Sequence, residues 1–240
     1  PNLLASLRLH TTAVRVLKTP YCQDSFIRLT IRYAHSAKMP SKEEQQIQLN
    51  RIGNVCVITF TGTPNKANVF NIPLLQRLDS LLDQVEKEHL PCSLVFTGAG
   101  KFFSAGFDLQ ALTGVAHGKG ANSKQGNSKT ADGQELVNFS WKVLARILVF
   151  PAPTFALFNG HSFGLGLFLG LACDHRLMIE TSKGFLCLPE ITIGLPLGSG
   201  FVALAKCKMN PNTLRTSCLT GKKWSCQEAL RVGLIDAVVP

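Results

Sequence analysis

Short apolar runs alternating with segments of helical period constrain this chain more than any other feature. Residues 54–61 (NVCVITFT) set Val55, Val57 and Thr59 against Cys56, Ile58 and Phe60, so both faces of a strand there are apolar enough to be buried. Asn71 reads as a helix N-cap with Pro73 in the first turn. Leu74, Leu75, Leu78, Leu81, Leu82 and Val85 then recur at helical spacing, to about Glu88. Residues 93–97 (SLVFT) form a second short buried strand, broken by Gly98-Ala99-Gly100. The pattern continues with a helix over residues 134–149, through Val137, Trp141, Leu144, Ile147 and Leu148, which Pro151 and Pro153 end. Residues 154–158 read as a strand, 163–171 as a glycine-containing helix and 175–179 as another strand. Ser225 and Glu228 form a capping box for a helix that stops at Gly233, and residues 235–239 are again strand-like. Repeated strand–helix units predict an α/β fold.

At 240 residues with 45% hydrophobic and 17% charged side chains, the chain suits one large domain or two small ones with a sizeable core. Half of the formal charge of +10 falls in residues 1–40, where Arg8, Arg15, Lys18, Arg28, Arg32 and Lys38 face Asp24 alone. The rest is a scattered positive balance, suited to an anionic ligand such as a nucleotide phosphate and too weak to imply nucleic-acid binding. The eight cysteines form no C-x-x-C pair and sit mostly in apolar runs, which favours buried free thiols over a disulfide frame or metal ligation. The chain starts at Pro1 and reads as a fragment. Residues 1–45 are expected to be a disordered leader or a transit peptide, rich in Arg, Leu, Ser and Thr, with Met39 as an alternative start. Residues 114–133 read as a mobile glycine- and lysine-rich surface loop. The longest apolar run, 163–173, is too short and glycine-rich to span a membrane.

Three segments carry chemistry. In residues 101–109, KFFSAGFDL, the small Ser104, Ala105 and Gly106 let a ligand approach the backbone, and Asp108 can cap the next helix. Residues 159–174, NGHSFGLGLFLGLACD, place Gly164, Gly166 and Gly170 at the start of a buried helix, where free N–H groups can face a ligand. The G-x-G-x-x-x-G spacing is one residue too long for a dinucleotide fingerprint. In residues 185–200, FLCLPEITIGLPLGSG, Glu190 is the only acidic or basic side chain between Lys183 and Lys206. An isolated carboxylate among apolar residues has a raised pKa suited to proton transfer. Taken singly, each segment also has a plain structural reading: a strand–helix turn, tight helix packing and a capping glutamate.

Together, in this order, the segments resemble the crotonase (enoyl-CoA hydratase/isomerase) superfamily over about residues 46–240. The resemblance implies a spiral of repeated strand–strand–helix units, forming an acyl-CoA-binding domain. It implies an oxyanion hole for the thioester oxygen made by two backbone N–H groups, matched here to Ser104 and Leu165, the latter in place of the family's usual glycine. Family hydratases use two glutamates; one matches Glu190, and the other falls at Phe168, which cannot exchange a proton. Family isomerases commonly keep only the first. The implied function is therefore the isomerisation of 3-enoyl-CoA to 2-trans-enoyl-CoA in unsaturated fatty-acid oxidation, with Glu190, Ser104 and Leu165 as catalytic groups. Implied substrate contacts are Lys66, Ala67, Lys101, Phe102, Ala105, Gly106, Phe107, Asp108 and Phe168. No metal or cofactor is called for, coenzyme A being part of the substrate. Expected partners are the acyl-CoA and further copies in a trimer or hexamer, built through a C-terminal helical region that would follow Pro240 and is expected to be largely missing. No nucleic acid and no membrane span are expected. The expected compartment is a mitochondrion or peroxisome, the former favoured by residues 1–38. The rival readings are a hydratase or other acyl-CoA enzyme of the family, and a non-catalytic binding or scaffold protein of the same fold.

Overall fold

The computed structural model describes residues 46–62, 67–87, 93–113, 128–180 and 183–240. The expected leader, Lys66 and most of the glycine-rich loop lie outside the described residues. In chain order the elements are β1 (Ile47–Ile52), β2 (Val55–Phe60), β3 (Val69–Phe70), α1 (Ile72–Lys87), β4 (Ser93–Gly98), β5 (Phe102–Ser104), β6 (Gly106–Phe107), α2 (Leu109–Thr113) and α3 (Ser128–Leu148). Next come β7 (Thr154–Phe158), β8 (His161–Phe163), α4 (Leu165–Ala172), β9 (His175–Ile179), β10 (Leu186–Cys187), a 3-10 turn (Glu190–Ile193), α5 (Ser199–Lys208), α6 (Pro211–Thr220), α7 (Cys226–Arg231) and β11 (Ala237–Val239).

The strands form a six-stranded sheet in the order β1-β2-β4-β7-β9-β11, a three-stranded sheet β10-β8-β5, and the pair β3-β6. All pairs are parallel except the antiparallel β1–β2. After β2, β4, β7 and β9 the chain leaves the large sheet, adds one or two short strands to a smaller one, and then turns into a helical segment. This is the expected strand–strand–helix repeat. Parallel strands require such crossovers, which cover the sheet and allow apolar residues on both faces. Along β2, β4 and β7, Cys56, Ile58, Phe60, Leu94, Phe96, Ala156 and Phe158 enter the main core with the helices. The alternate residues Val57, Val95, Phe155 and Leu157 join Leu177, Ile179 and Val239 in a second buried cluster.

Local signals account for most helix starts. Asn71 Oδ1 accepts the Leu74 N–H at 3.0 Å, and Leu74, Leu75, Leu78, Leu81, Leu82 and Val85 of α1 are all buried, as their spacing requires. The Ser225–Glu228 capping box at α7 forms as expected. Two boundaries differ from the sequence reading. Phe163, expected to open the helix, instead ends strand β8, because Gly164 has φ 50° and turns the chain before α4 starts at Leu165. The helix expected from residue 134 begins at Ser128, so part of the expected loop is α3.

Gly170 in α4 shows how closely that helix seats on the sheet: a Cβ there would lie 2.3 Å from Cζ of Phe158, itself fully buried. Gly170→Ala is therefore expected to destabilise the protein by about 1–3 kcal/mol through overpacking, despite alanine's better helix propensity. Denaturant unfolding of the two proteins measures it.

Candidate active site

The carboxyl ends of β5, β8 and β10 lie side by side, and each leads directly into one of the three chemistry-bearing segments. After β10, Leu188 and Pro189 lead into the 3-10 turn that begins at Glu190 and closes on the left-handed Gly194. After β8, Gly164 turns the chain into α4. The two segments are stitched together by the Gly164 N–H, which donates to the Cys187 carbonyl at 3.0 Å.

This stitch brings Glu190 onto the start of α4. The φ of 50° at Gly164 favours glycine, and a Cβ there would lie 3.1 Å from Glu190 Oε1 and crowd the carboxylate. Glu190 is 9% exposed, and its Oε2 is buried without a hydrogen-bond partner in the protein. Burial pushes its carboxyl up to about 6, against the lowering effect of a backbone hydrogen bond. The neighbouring Leu186 and Leu188 are buried, whereas Phe185 and Ile191, also expected to shield the carboxylate, are largely exposed.

Leu165 is the first residue of α4, and the first helical bond runs from Phe168 N–H to Gly164 O at 3.1 Å. The N–H groups of Leu165, Gly166 and Leu167 thus have no partner inside the helix. The Leu165 side chain turns into the core, 2% exposed, which leaves the N–H side clear. Phe168 is 1% exposed, with its ring 4.6 Å from that of Phe201. The position of the second family glutamate is therefore a core aromatic.

The 101–109 segment contributes differently from expectation. Ser104 is fully buried; its Oγ–H donates to Asn68 O at 2.7 Å and its Oγ accepts the Gly106 N–H at 3.0 Å. Ser104 pairs with Ser162 in the β5–β8 ladder. Since the Ser162 N–H goes to Phe185 O and the Ala105 N–H to Ala67 O, a parallel bridge at this point must use the N–H of Ser104 itself. The Ser104 N–H, expected to face a ligand, is therefore engaged in the small sheet, and the Ser104 side chain fixes the turn. In the β3–β6 pair the Asp108 N–H bonds to Phe70 O, so the N–H of Phe107, one residue earlier, points away from β3. Gly106, at φ 90°, packs so closely on the end of β8 that a Cβ would lie 2.7 Å from Phe163 O, and it sits within van der Waals reach of Leu165 N. Gly106, the residue before Phe107, thus packs on the turn that leads into Leu165, and Gly164 of that same turn lies against Glu190.

The remaining expected contacts divide. Ala67 acts through its carbonyl, and Ala105 through its N–H. Asp108 Oδ1 accepts the Gln110 and Ala111 N–H groups at 3.0 and 3.3 Å, so it caps α2. Lys101 is exposed, and Phe102 turns its ring toward His161, 5.2 Å away. The sequence reading missed Asn68, whose side chain donates to both Phe102 O and Phe103 O. Among the described residues no cluster could hold a metal ion, and no helix is long and apolar enough to cross a membrane.

Residues 50–240 match the family model described as enoyl-CoA hydratase/isomerase. Enoyl-CoA delta isomerase 3 of Arabidopsis thaliana is 33% identical over 191 residues, 79% of this chain and 75% of that protein. The same plant's enoyl-CoA delta isomerase 2, peroxisomal, is 33% identical over the same coverage. Among solved structures, the enoyl-CoA hydratase of Bacillus anthracis superposes with a TM-score of 0.70 at 28% identity, over 82% of this chain and 70% of that one. A preference for the mitochondrion finds no support in these relatives.

The raised pKa has a consequence for stability. A carboxyl that is weaker in the folded state favours folding when protonated, and this contribution is lost as the pH rises through about 6. Glu190→Gln is expected to match the wild type in stability below pH 4.5 and to exceed it by on the order of 1–2 kcal/mol at pH 7 and above. Urea unfolding across that pH range reads the difference.

Proposed function

The chain belongs to the enoyl-CoA hydratase/isomerase family, and within that family we propose that it moves the double bond of a 3-enoyl-CoA to the 2-trans position. The observation that carries this reading is one buried carboxylate at the α4 start whose Oε2 has no protein partner, with a core phenylalanine where a second acid would stand. Hydration needs a water activated by one group and a proton delivered by another. A 1,3-proton shift needs a single group that takes a proton and returns it.

In the proposed reaction the thioester oxygen sits between Phe107 N–H and Leu165 N–H. Glu190 removes a proton from C2, and the electron pair delocalises through the C3–C4 double bond and onto that oxygen. The two N–H groups stabilise the dienolate; each such donor typically contributes about 2.7–4 kcal/mol to lowering the barrier. Glu190 then delivers the same proton to C4, and the double bond is left between C2 and C3. One proton moves and no electrons are gained or lost, so the reaction itself asks for no metal or nicotinamide. A pKa of about 6 leaves Glu190 ionised at neutral pH and its conjugate acid strong enough to return the proton. The naming of one Arabidopsis relative supports a peroxisomal setting.

The protein is expected to isomerise 3-hexenoyl-CoA faster than it hydrates crotonyl-CoA, and the opposite order sinks the assignment. Glu190→Gln should abolish isomerisation while leaving acyl-CoA affinity nearly unchanged, because the amide keeps the shape and cannot accept the proton. Wild-type kcat/KM should rise with pH through about 6. A folded variant that turns over normally would disprove the role given to Glu190.

A further inference from the structure

Among the described residues, Asn68 is the non-glycine residue with a left-handed backbone, φ 51°. It is 2% exposed. Its side-chain amide donates to Phe102 O at 2.8 Å and to Phe103 O at 3.1 Å, which identifies that atom as nitrogen. Its own carbonyl accepts the Ser104 hydroxyl, and the carbonyl of Ala67 beside it accepts the Ala105 N–H. The strap before β3 is thus fastened to four successive residues, Phe102 to Ala105, just ahead of the proposed donor Phe107.

Two features of Asn68 work against stability. A left-handed backbone is unfavourable for a residue with a side chain, though asparagine tolerates it better than most. Its Oδ1 is buried with no partner, although both Phe carbonyls are satisfied. A residue serving the fold alone would not be expected to combine the two; a constrained backbone with an orphan polar atom is a mark of a functional support. The same place holds an irregularity: the β5–β8 register shifts between Phe102 and Ser104. Two successive carbonyls that bond one amide cannot both follow the alternation of a regular strand. The bridge by Asn68 therefore holds the chain in that irregular form. The shift falls just ahead of Gly106, which takes φ 90° and packs against the β8–α4 turn, and Phe107 follows it directly.

Resting on the isomerase reading above, we propose that Asn68 is a positioning residue for the oxyanion site, holding Phe107 N–H in line through its bridge to Phe102 and Phe103. It touches no substrate. Its action is on the dienolate and not on ground-state binding.

The test uses Asn68→Gly, which keeps the backbone conformation and removes the bridge, and Asn68→Asp, which replaces the donor with a carboxylate facing two carbonyls. Three readouts are taken on the full chain: kcat and KM for 3-hexenoyl-CoA, affinity for saturated hexanoyl-CoA, and the enolate absorbance of bound acetoacetyl-CoA. For Asn68→Gly the expected result is a kcat lowered by at least about tenfold, with KM and hexanoyl-CoA affinity within about twofold and a weakened enolate band. Asn68→Asp should be worse in kcat than Asn68→Gly. Wild-type kcat in folded Asn68→Gly overturns the proposal. So does loss of the folded state in both variants, which would make Asn68 a residue of the fold. A wild type that forms no enolate and no product instead defeats the isomerase reading, and this one with it.

Discussion

The Glu190 carboxylate lies against the bare Cα of Gly164, and much of the site can be derived from keeping that approach possible. It needs β8 and β10 to be parallel neighbours, so that both chains leave the sheet at the same end. It needs a turn without a side chain between β8 and α4, and the Cys187 carbonyl to hold that turn. Once these hold, the open N–H end of α4 and the carboxylate share a common volume, and the positive end of the helix partly offsets the cost of an ion there.

The same rule of close backbone approach runs through the small sheet. A Cβ on Gly160 would lie 2.1 Å from Lys101 O, one on Gly184 2.4 Å from the Gly160 carbonyl carbon, and one on Gly166 2.7 Å from Ser104 Cβ. Strands β5, β8 and β10 can lie this close to one another and to α4 only because small residues occur where they meet. The short strands contribute little core of their own. They are held by the large sheet and by the helices around Phe103, Phe158 and Phe168, all buried. The rigidity of the site is thus supplied by a core that does no chemistry.

The orphan Oε2 of Glu190 is a local liability tolerated by that large apolar core. Desolvation raises the proton affinity of the group, and the same desolvation makes it a better base toward a carbon acid. Phe168 packs its ring against Phe201 in that core, at the position that the family resemblance assigns to a second carboxylate.

Periodicity in the sequence was enough to place β2, β7, β9, α1 and the α7 cap, because each is decided by alternation, helical spacing or a cap within a few residues. Order and spacing of the three motifs were enough for the family, and isolation among apolar neighbours drew attention to Glu190, whose role rested on the family resemblance. The two- and three-residue strands β3, β5, β6, β8 and β10 had no local signal, since a strand that short is defined by its partner. For the same reason the family resemblance pointed to Ser104 as a donor, while pairing with Ser162 uses its N–H and leaves Phe107 as the proposed one. The importance of Asn68 was likewise invisible, as its bonds reach 34 and 35 residues along the chain. Residue types that make the chemistry possible were set by the sequence alone. Which backbone N–H is left free to do it was decided by long-range hydrogen bonding, because a donor already paired within a sheet is not available to a ligand.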